Sequence, residues 1–231
     1  MPCAFDLMER QVEALFTHDA AGQIVRQNEP DGPAAPLFFL GCTAEGNIWR
    51  VRQDIPRDLA ARLDEIAGRE PVEAELPQRP RVADEIVALL RVLLPVTAET
   101  GGPAFFVGEA VPILEGVVRI ERDDVAMLEH FSWLVPELDD RRPCCVVLQD
   151  GIAVSLCFSS RRSPRAAEAG VETIPAYRGN GYATAVTAAW ARAVREEGLT
   201  PLYSTSWENG ASRAVARRLG LSQYGTDWSV R

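Results

Sequence analysis

The stretch with the clearest chemical meaning is Arg178-Gly179-Asn180-Gly181-Tyr182-Ala183. It follows an apolar, strand-like run, VETI, and Pro175, and it runs into a helical pattern. Amides in the first turn of a helix have no partner within it and lie at the positive end of its dipole. A glycine turn at that point therefore lets an anion such as a pyrophosphate come close. Arg178 adds a fixed positive charge. A plainer reading is that the two glycines only permit a tight strand-to-helix connection. GxxxxGK[ST] is absent, and a dinucleotide fingerprint would need a third glycine where Thr184 stands.

The elements that must position this turn follow from periodicity. Tyr182 to Glu197 predicts a helix whose Ala183, Val186, Trp190 and Val194 share one face, with Trp190 as core, ended by Gly198 and Pro201. Before it, Cys144–Leu148 and Ile152–Phe158 predict a hairpin across Asp150-Gly151, and Gly170–Ile174 a further strand. After it come a strand at Leu202–Ser206, a helix at Asn209–Leu219 and a closing strand or pair at Ser222–Val230. Val117–Ile120 reads as a strand, followed by a helix capped by Asp123 or Asp124 and running to about Val135.

The first half is patterned less sharply. Asp6 to Phe16 predicts a helix with Asp6 and Glu9 as a capping pair, Pro36–Cys42 a strand, and Asp54-Ile55-Pro56 the start of a helix that Gly68 stops. The prolines at 71, 77 and 80 mark a loop, RVADEIVALLRVLL a further helix, and Ala104–Val107 a strand. A boundary is placed near residue 110, dividing the chain into 1–110, a smaller α/β part of unknown role, and 111–231.

Two motifs in the second part resemble the GNAT superfamily of acyl-CoA-dependent N-acyltransferases. One is Arg178 through Ala183; the other is Asn209 leading a helix that ends at Leu219-Gly220-Leu221. The resemblance covers about residues 110–231 and implies an α/β fold with a mixed, mostly antiparallel sheet flanked by helices. It implies acyl-CoA, typically acetyl-CoA, as co-substrate, with no metal. The backbone amides of Arg178, Gly179, Asn180, Gly181, Tyr182 and Ala183 would then hold the coenzyme pyrophosphate. The strand Glu172-Thr173-Ile174 would pair with the pantetheine arm, and Asn209 and Ser212 would lie beside it. Glu172 and Glu208 become candidate bases for the amine. Where many members carry a tyrosine acid, seven residues after the asparagine, this chain has Ala216, which leaves Tyr224, Tyr182 or water to protonate the thiolate. Phe131, Trp133 and Trp207 are candidate walls for the acceptor.

Composition limits the partners. All 24 basic residues are arginine, which suggests a GC-rich, bacterial genome, and 33 acids give a net charge of −9. That balance argues against nucleic acid and leans toward a cationic amine on a small molecule or peptide. No run is apolar enough to span a membrane, and the N-terminus has no secretory pattern, so a cytoplasmic protein is expected. Five cysteines without CxxC spacing and two separated histidines suggest neither a disulfide framework nor a metal site. The first part either covers the acceptor site or is a degenerate copy of the same fold that pairs two chains into a homodimer. Two alternatives stay open: a CoA-binding module without catalysis, acting as sensor or interaction domain, and an unrelated nucleotide or phosphate binder.

Overall fold

A computed structural model describes residues 2–30, 34–92, 94–109 and 116–231. In chain order its elements are α1 (Ala4–Leu15), β1 (Phe16–His18), β2 (Ile24–Gln27), β3 (Phe38–Thr43), β4 (Gly46–Val51), α2 (Arg57–Ala67), α3 (Ala83–Arg91), β5 (Glu99–Phe106) and β6 (Val117–Ile120). A 3₁₀ stretch (Arg122–Glu137) follows, then β7 (Cys144–Gln149), β8 (Ile152–Arg162), β9 (Ala166–Thr173), a 3₁₀ turn (Pro175–Tyr177), α4 (Tyr182–Glu196), β10 (Thr200–Ser204), α5 (Gly210–Arg218) and β11 (Ser222–Val230). Among the described residues nine strands form one sheet in the order β4-β3-β11-β5-β10-β9-β8-β7-β6, in which only the neighbours β9 and β10 run parallel. This is the expected mixed, mostly antiparallel sheet flanked by helices.

Each sheet face buries its own helices. On one face, α2 and α3 pack over Phe38, Leu40, Trp228 and Val230, while α4 and α5 pack over Val154, Cys157, Ala167 and Tyr203. Trp190 of α4 is fully buried, and its indole N–H donates to Ser159. On the other face, α1 covers Phe39, Ala104, Ala166 and Tyr224, and the 3₁₀ stretch covers Cys144, Leu156 and Phe158. Apolar alternation along the strands thus feeds both layers, as a sheet covered on both sides requires.

The boundary placed near residue 110 falls at 110–115, outside the described residues. The sheet continues past it: β3, β4 and β5 come from before that segment and share the sheet with β6 to β11.

Several local expectations change. α1 is capped by Cys3, whose Sγ accepts the Asp6 amide, while Asp6 pairs with Arg10 and Arg165. The 122–137 segment is 3₁₀ rather than α-helical, and its capping box uses Glu121 with Asp124. β5 starts at Glu99, ahead of the expected Ala104, because Gly101 and Gly102 let the strand pass against its neighbours. A Cβ at Gly102 would overlap the Thr205 carbonyl oxygen. β4 and the β1/β2 pair have no counterpart in the sequence reading.

Candidate active site

β9 and β10 pair only from Ala166–Glu168 to Thr200–Leu202 and then part. A cleft of about 950 Å³ opens between the diverging ends, with Ala169, Val171 and Thr173 on the β9 side and Tyr203, Ser204 and Thr205 on the β10 side. The start of α4 and the α5 face carrying Ser212 and Val215 complete it.

The glycine turn lies at the rim of this cleft. Gly179 and Gly181 both take positive φ, 87° and 82°, and Gly181 is the N-cap of α4 with no side-chain cap. A Cβ at either glycine would meet nothing within 4 Å. Backbone sign, not crowding, demands glycine there, and the space above the first-turn amides is open. Thr184 in that turn also keeps its Oγ1 covered and without a partner among the described residues. Donors left unpaired at a helix N-terminus, under open space and beside a long cleft, fit a phosphate-bearing coenzyme.

Of the sequence-selected coenzyme residues, Thr173, Ile174, Arg178, Gly179, Gly181, Tyr182, Ala183, Asn209 and Ser212 all line the cleft. The Arg178 side chain folds back, Nε donating to the Thr173 carbonyl. Asn180 is not on the wall; its side chain donates to the Tyr177 carbonyl and holds the turn. Asn209 caps α5 by accepting the Ser212 amide at 3.0 Å.

The three catalytic candidates separate. Glu172 lines the cleft near Phe131, and partial burial raises its pKa against the pull of Arg141. Glu208 is exposed in the turn before α5 and is not on the cleft wall. Tyr224 does not reach the cleft: it is buried under α1, and its hydroxyl donates to Gln11 at 2.7 Å. Ala216 is buried between α5 and the sheet. Among the proposed aromatic walls, Phe131 lines the cleft. Trp133 meets Phe158 edge-to-face and lies under the Arg141 guanidinium, and Trp207 donates to the Gln78 carbonyl.

Sequence reading missed the polar groups at the apex where the strands part. Tyr203 lines the cleft with its hydroxyl 2.6 Å from Ser212 Oγ, and burial pushes its pKa up to about 12. Glu168, 2% exposed, accepts from Ser204 Oγ through one oxygen, while Oε1 has no partner among the described residues. Burial, reinforced by Asp227, raises it to about 8. Asp227, on β11, accepts from Gln11 Nε2 at 2.7 Å. Close enclosure raises it to about 6, although the Gln11 bond and Arg161 pull down.

The surface that Asp227 retains faces a second, smaller cavity of about 210 Å³ on the α1 face, walled also by Phe16, Phe39, Arg161 and Arg231. Ser204, Thr205 and Ser206 line both cavities, so one short segment separates them. In the β9 pattern AAEAGVET Glu168 stands between alanines on both sides, unlike Glu172 near the strand end, and that is the signal that could have singled it out. Nothing local marks Asp227.

Residues 143–227 match the GNAT acetyltransferase family model. Several solved structures match parts of the chain. A GNAT-family acetyltransferase from Novosphingobium aromaticivorans is 19% identical over 59% of this chain and 66% of that one, with a TM-score of 0.49. A GCN5-related N-acetyltransferase-like protein from Streptococcus suis is 18% identical over 85% of each chain, with a TM-score of 0.47. An aminoglycoside N-acetyltransferase in complex with CoA is 22% identical over 47% of this chain and 92% of that one, with a TM-score of 0.37. No curated protein sequence matches the chain.

Proposed function

We propose that the protein transfers an acetyl or other short acyl group from its coenzyme A thioester to the amine of a small molecule. The observation that carries this reading is the open, glycine-formed N-terminus of α4 at the rim of the β9/β10 cleft. Acetyl-CoA supplies a thioester whose C–S bond breaks, its electron pair passing to sulfur, as the amine nitrogen bonds to the carbonyl carbon.

The first-turn amides of α4 hold the pyrophosphate, and the free edge of β9 directs the pantetheine arm toward the apex. An alkylammonium must lose a proton before it can attack, and the two carboxylates on the α1 side of the shared Ser204–Ser206 wall, Glu168 and Asp227, suit that task. Raised to about 8 and about 6, Glu168 and Asp227 hold and release protons near neutral pH. The Tyr203 hydroxyl stays protonated there and can give its proton to the departing thiolate. Glu172, on the coenzyme side, is the rival base.

Buried Ala216 in place of a tyrosine favours a second reading, a CoA binder without turnover. Titration calorimetry of acetyl-CoA, CoA and ATP into the protein and into Gly181→Trp separates these readings. The expected result is acetyl-CoA binding, weakened at least about 100-fold by the indole that fills the cradle, or roughly 2.7 kcal/mol. Tighter binding of ATP than of CoA overturns the acyltransferase reading. CoA binding without acetyl transfer to any amine on a broad panel leaves the non-catalytic one.

A further inference from the structure

The small cavity on the α1 face carries both signs of charge. Asp227 stands on its wall, with Glu168 behind Ser204. Arg161 and Arg231 stand on the same wall, near enough that burial and then the Arg161 charge both disfavour the charge on Arg231. Arg161 donates to Glu29 at 2.8 Å through Nη2, yet its buried Nε has no partner among the described residues. Arg231 spends its donors on neutral oxygens, the Ala34 carbonyl and Gln27 Oε1. Glu29 answers Arg161 at one guanidinium nitrogen, and Arg231 has no carboxylate within salt-bridge distance among the described residues. This side of the cavity of about 210 Å³ suits an anion, while Asp227 beside the shared Ser204–Ser206 wall suits an ammonium or amine. Leu15, Phe16 and Phe39 supply apolar wall between them.

The geometry points to this cavity as the acceptor site, and to a small primary amine that also bears a carboxylate, an amino-acid-like zwitterion, as its occupant. The amine lies at Asp227, facing the thioester end of the coenzyme cleft across Ser204, and the carboxylate lies at Arg161 and Arg231. The inference rests on the acyltransfer reading and narrows it: local charge in the cavity, not the net charge of −9, selects the acceptor. Gln11 holds Asp227 from α1 and is in turn held by Tyr224, so the first part of the chain helps to build the site.

The test compares amines that differ only in the carboxylate: alanine, alaninamide and ethylamine; leucine, leucinamide and isoamylamine; phenylalanine, phenylalaninamide and phenethylamine. Each is assayed for acetyl transfer and titrated into protein saturated with CoA. The amides are the less protonated amines at neutral pH, so intrinsic reactivity favours them. The expected result is the reverse, a kcat/KM at least about tenfold higher for an acid than for its amide, carried mainly by KM. Arg231→Gln and Arg161→Gln should erase that preference while acetyl-CoA affinity stays within about twofold.

Equal or better use of the amides and simple amines overturns the proposal, and so does a preference for dipeptide amides or spermidine. Those would reach into the adjoining 700 Å³ cleft, which shares Phe16 and Arg161. If acetyl-CoA itself fails to bind, the acyltransfer reading falls, and the amino-acid titrations still test the cavity. Binding of the acids but not the amides then supports the carboxylate site, and no binding of either refutes it.

Discussion

The two sides of the parting strands are built by opposite strategies. On the α4 side the walls come, apart from Phe131, from two nearly contiguous stretches, 169–184 and 203–218, and much of the chemistry offered is backbone: open amides, positive-φ glycines and a free strand edge. On the α1 side Gln11, Arg161, Glu168, Asp227 and Arg231 are drawn from α1, β8, β9 and β11 and the residue after it, and the chemistry is side chain. A backbone site survives side-chain replacement as long as the turn can form. A side-chain site changes with each residue. The first suits a constant coenzyme, the second an acceptor that differs from one protein to another.

Removing the acceptor-side acid should break this comparison most visibly. Asp227→Asn is expected to lower kcat/KM for acetyl transfer by about 10²- to 10⁴-fold and to leave the acetyl-CoA Kd within a few fold, because Asp227 does not line the coenzyme cleft. Glu168→Gln should follow the same pattern with a smaller loss. If Glu172→Gln instead gives the large fall and Asp227→Asn is silent, the base belongs to the coenzyme side and the division of labour is wrong.

A single methyl should disturb both sides together. Ala at 102 would drive its Cβ into the Thr205 carbonyl, and Thr205 belongs to the wall that the two cavities share. Backbone cannot yield as a flexible side chain can, so Gly102→Ala is expected to cost about 1–3 kcal/mol and several degrees of Tm. Acetyl-CoA affinity and acceptor KM should both weaken. A variant with unchanged melting and only one side affected would show that the segment does not couple them.

The same contrast explains what could be read in the sequence. The order of elements along the chain after Val117, the Asp150-Gly151 hairpin, the α4 and α5 faces and the glycine turn are local patterns, and the structure places them within a few residues of the expected limits. Asp150 and Gly151 take positive φ, as such a turn requires. The acceptor-side pairs join residues more than 200 positions apart, Tyr224 with Gln11 and Gln11 with Asp227, and no spacing rule brings such residues together. Tyr224, a candidate acid by its hydroxyl, instead holds Gln11 beneath α1, and Gln11 holds Asp227. Glu168 lies ahead of the strand expected at Gly170–Ile174, and a glutamate in a strand is ordinarily solvent-facing; here the layer of α1 across that face buries it.

Titration should sharpen the picture further. Unfolded carboxylates ionise near their ordinary values, whereas Glu168 is raised to about 8 and Asp227 to about 6, so between those limits the folded protein holds more protons than the unfolded chain. Stability is therefore expected to fall as pH rises from about 4.5 to about 8. Activity should rise over the upper part of that window, as the pair ionises and can accept the amine proton. Arg161 opposes both upward shifts, Ser204 stabilises ionised Glu168, and Gln11 stabilises ionised Asp227, so the apparent values belong to the group. In Asp227→Asn the residual activity limb should move to lower pH, because Glu168 loses its like-charged neighbour. A limb that stays in place would mean that the two acids do not communicate.

The smallest effect is expected on the coenzyme side, at Tyr203. Its hydroxyl is the phenol that the structure places in the cleft against Ser212, and burial keeps it protonated. Water can also protonate a thiolate, so Tyr203→Phe should lower kcat by about tenfold or less, with acetyl-CoA Kd and acceptor KM little changed. Losing the bond to Ser212 should cost about 1 kcal/mol of stability, measurable by denaturant titration. The decisive readout uses thioesters of graded leaving ability. If Tyr203 protonates the departing sulfur, the defect should shrink as the thiol becomes more acidic, since a better leaving group needs less help. A defect of constant size across the series would place Tyr203 in the wall of the cleft and return the proton to solvent.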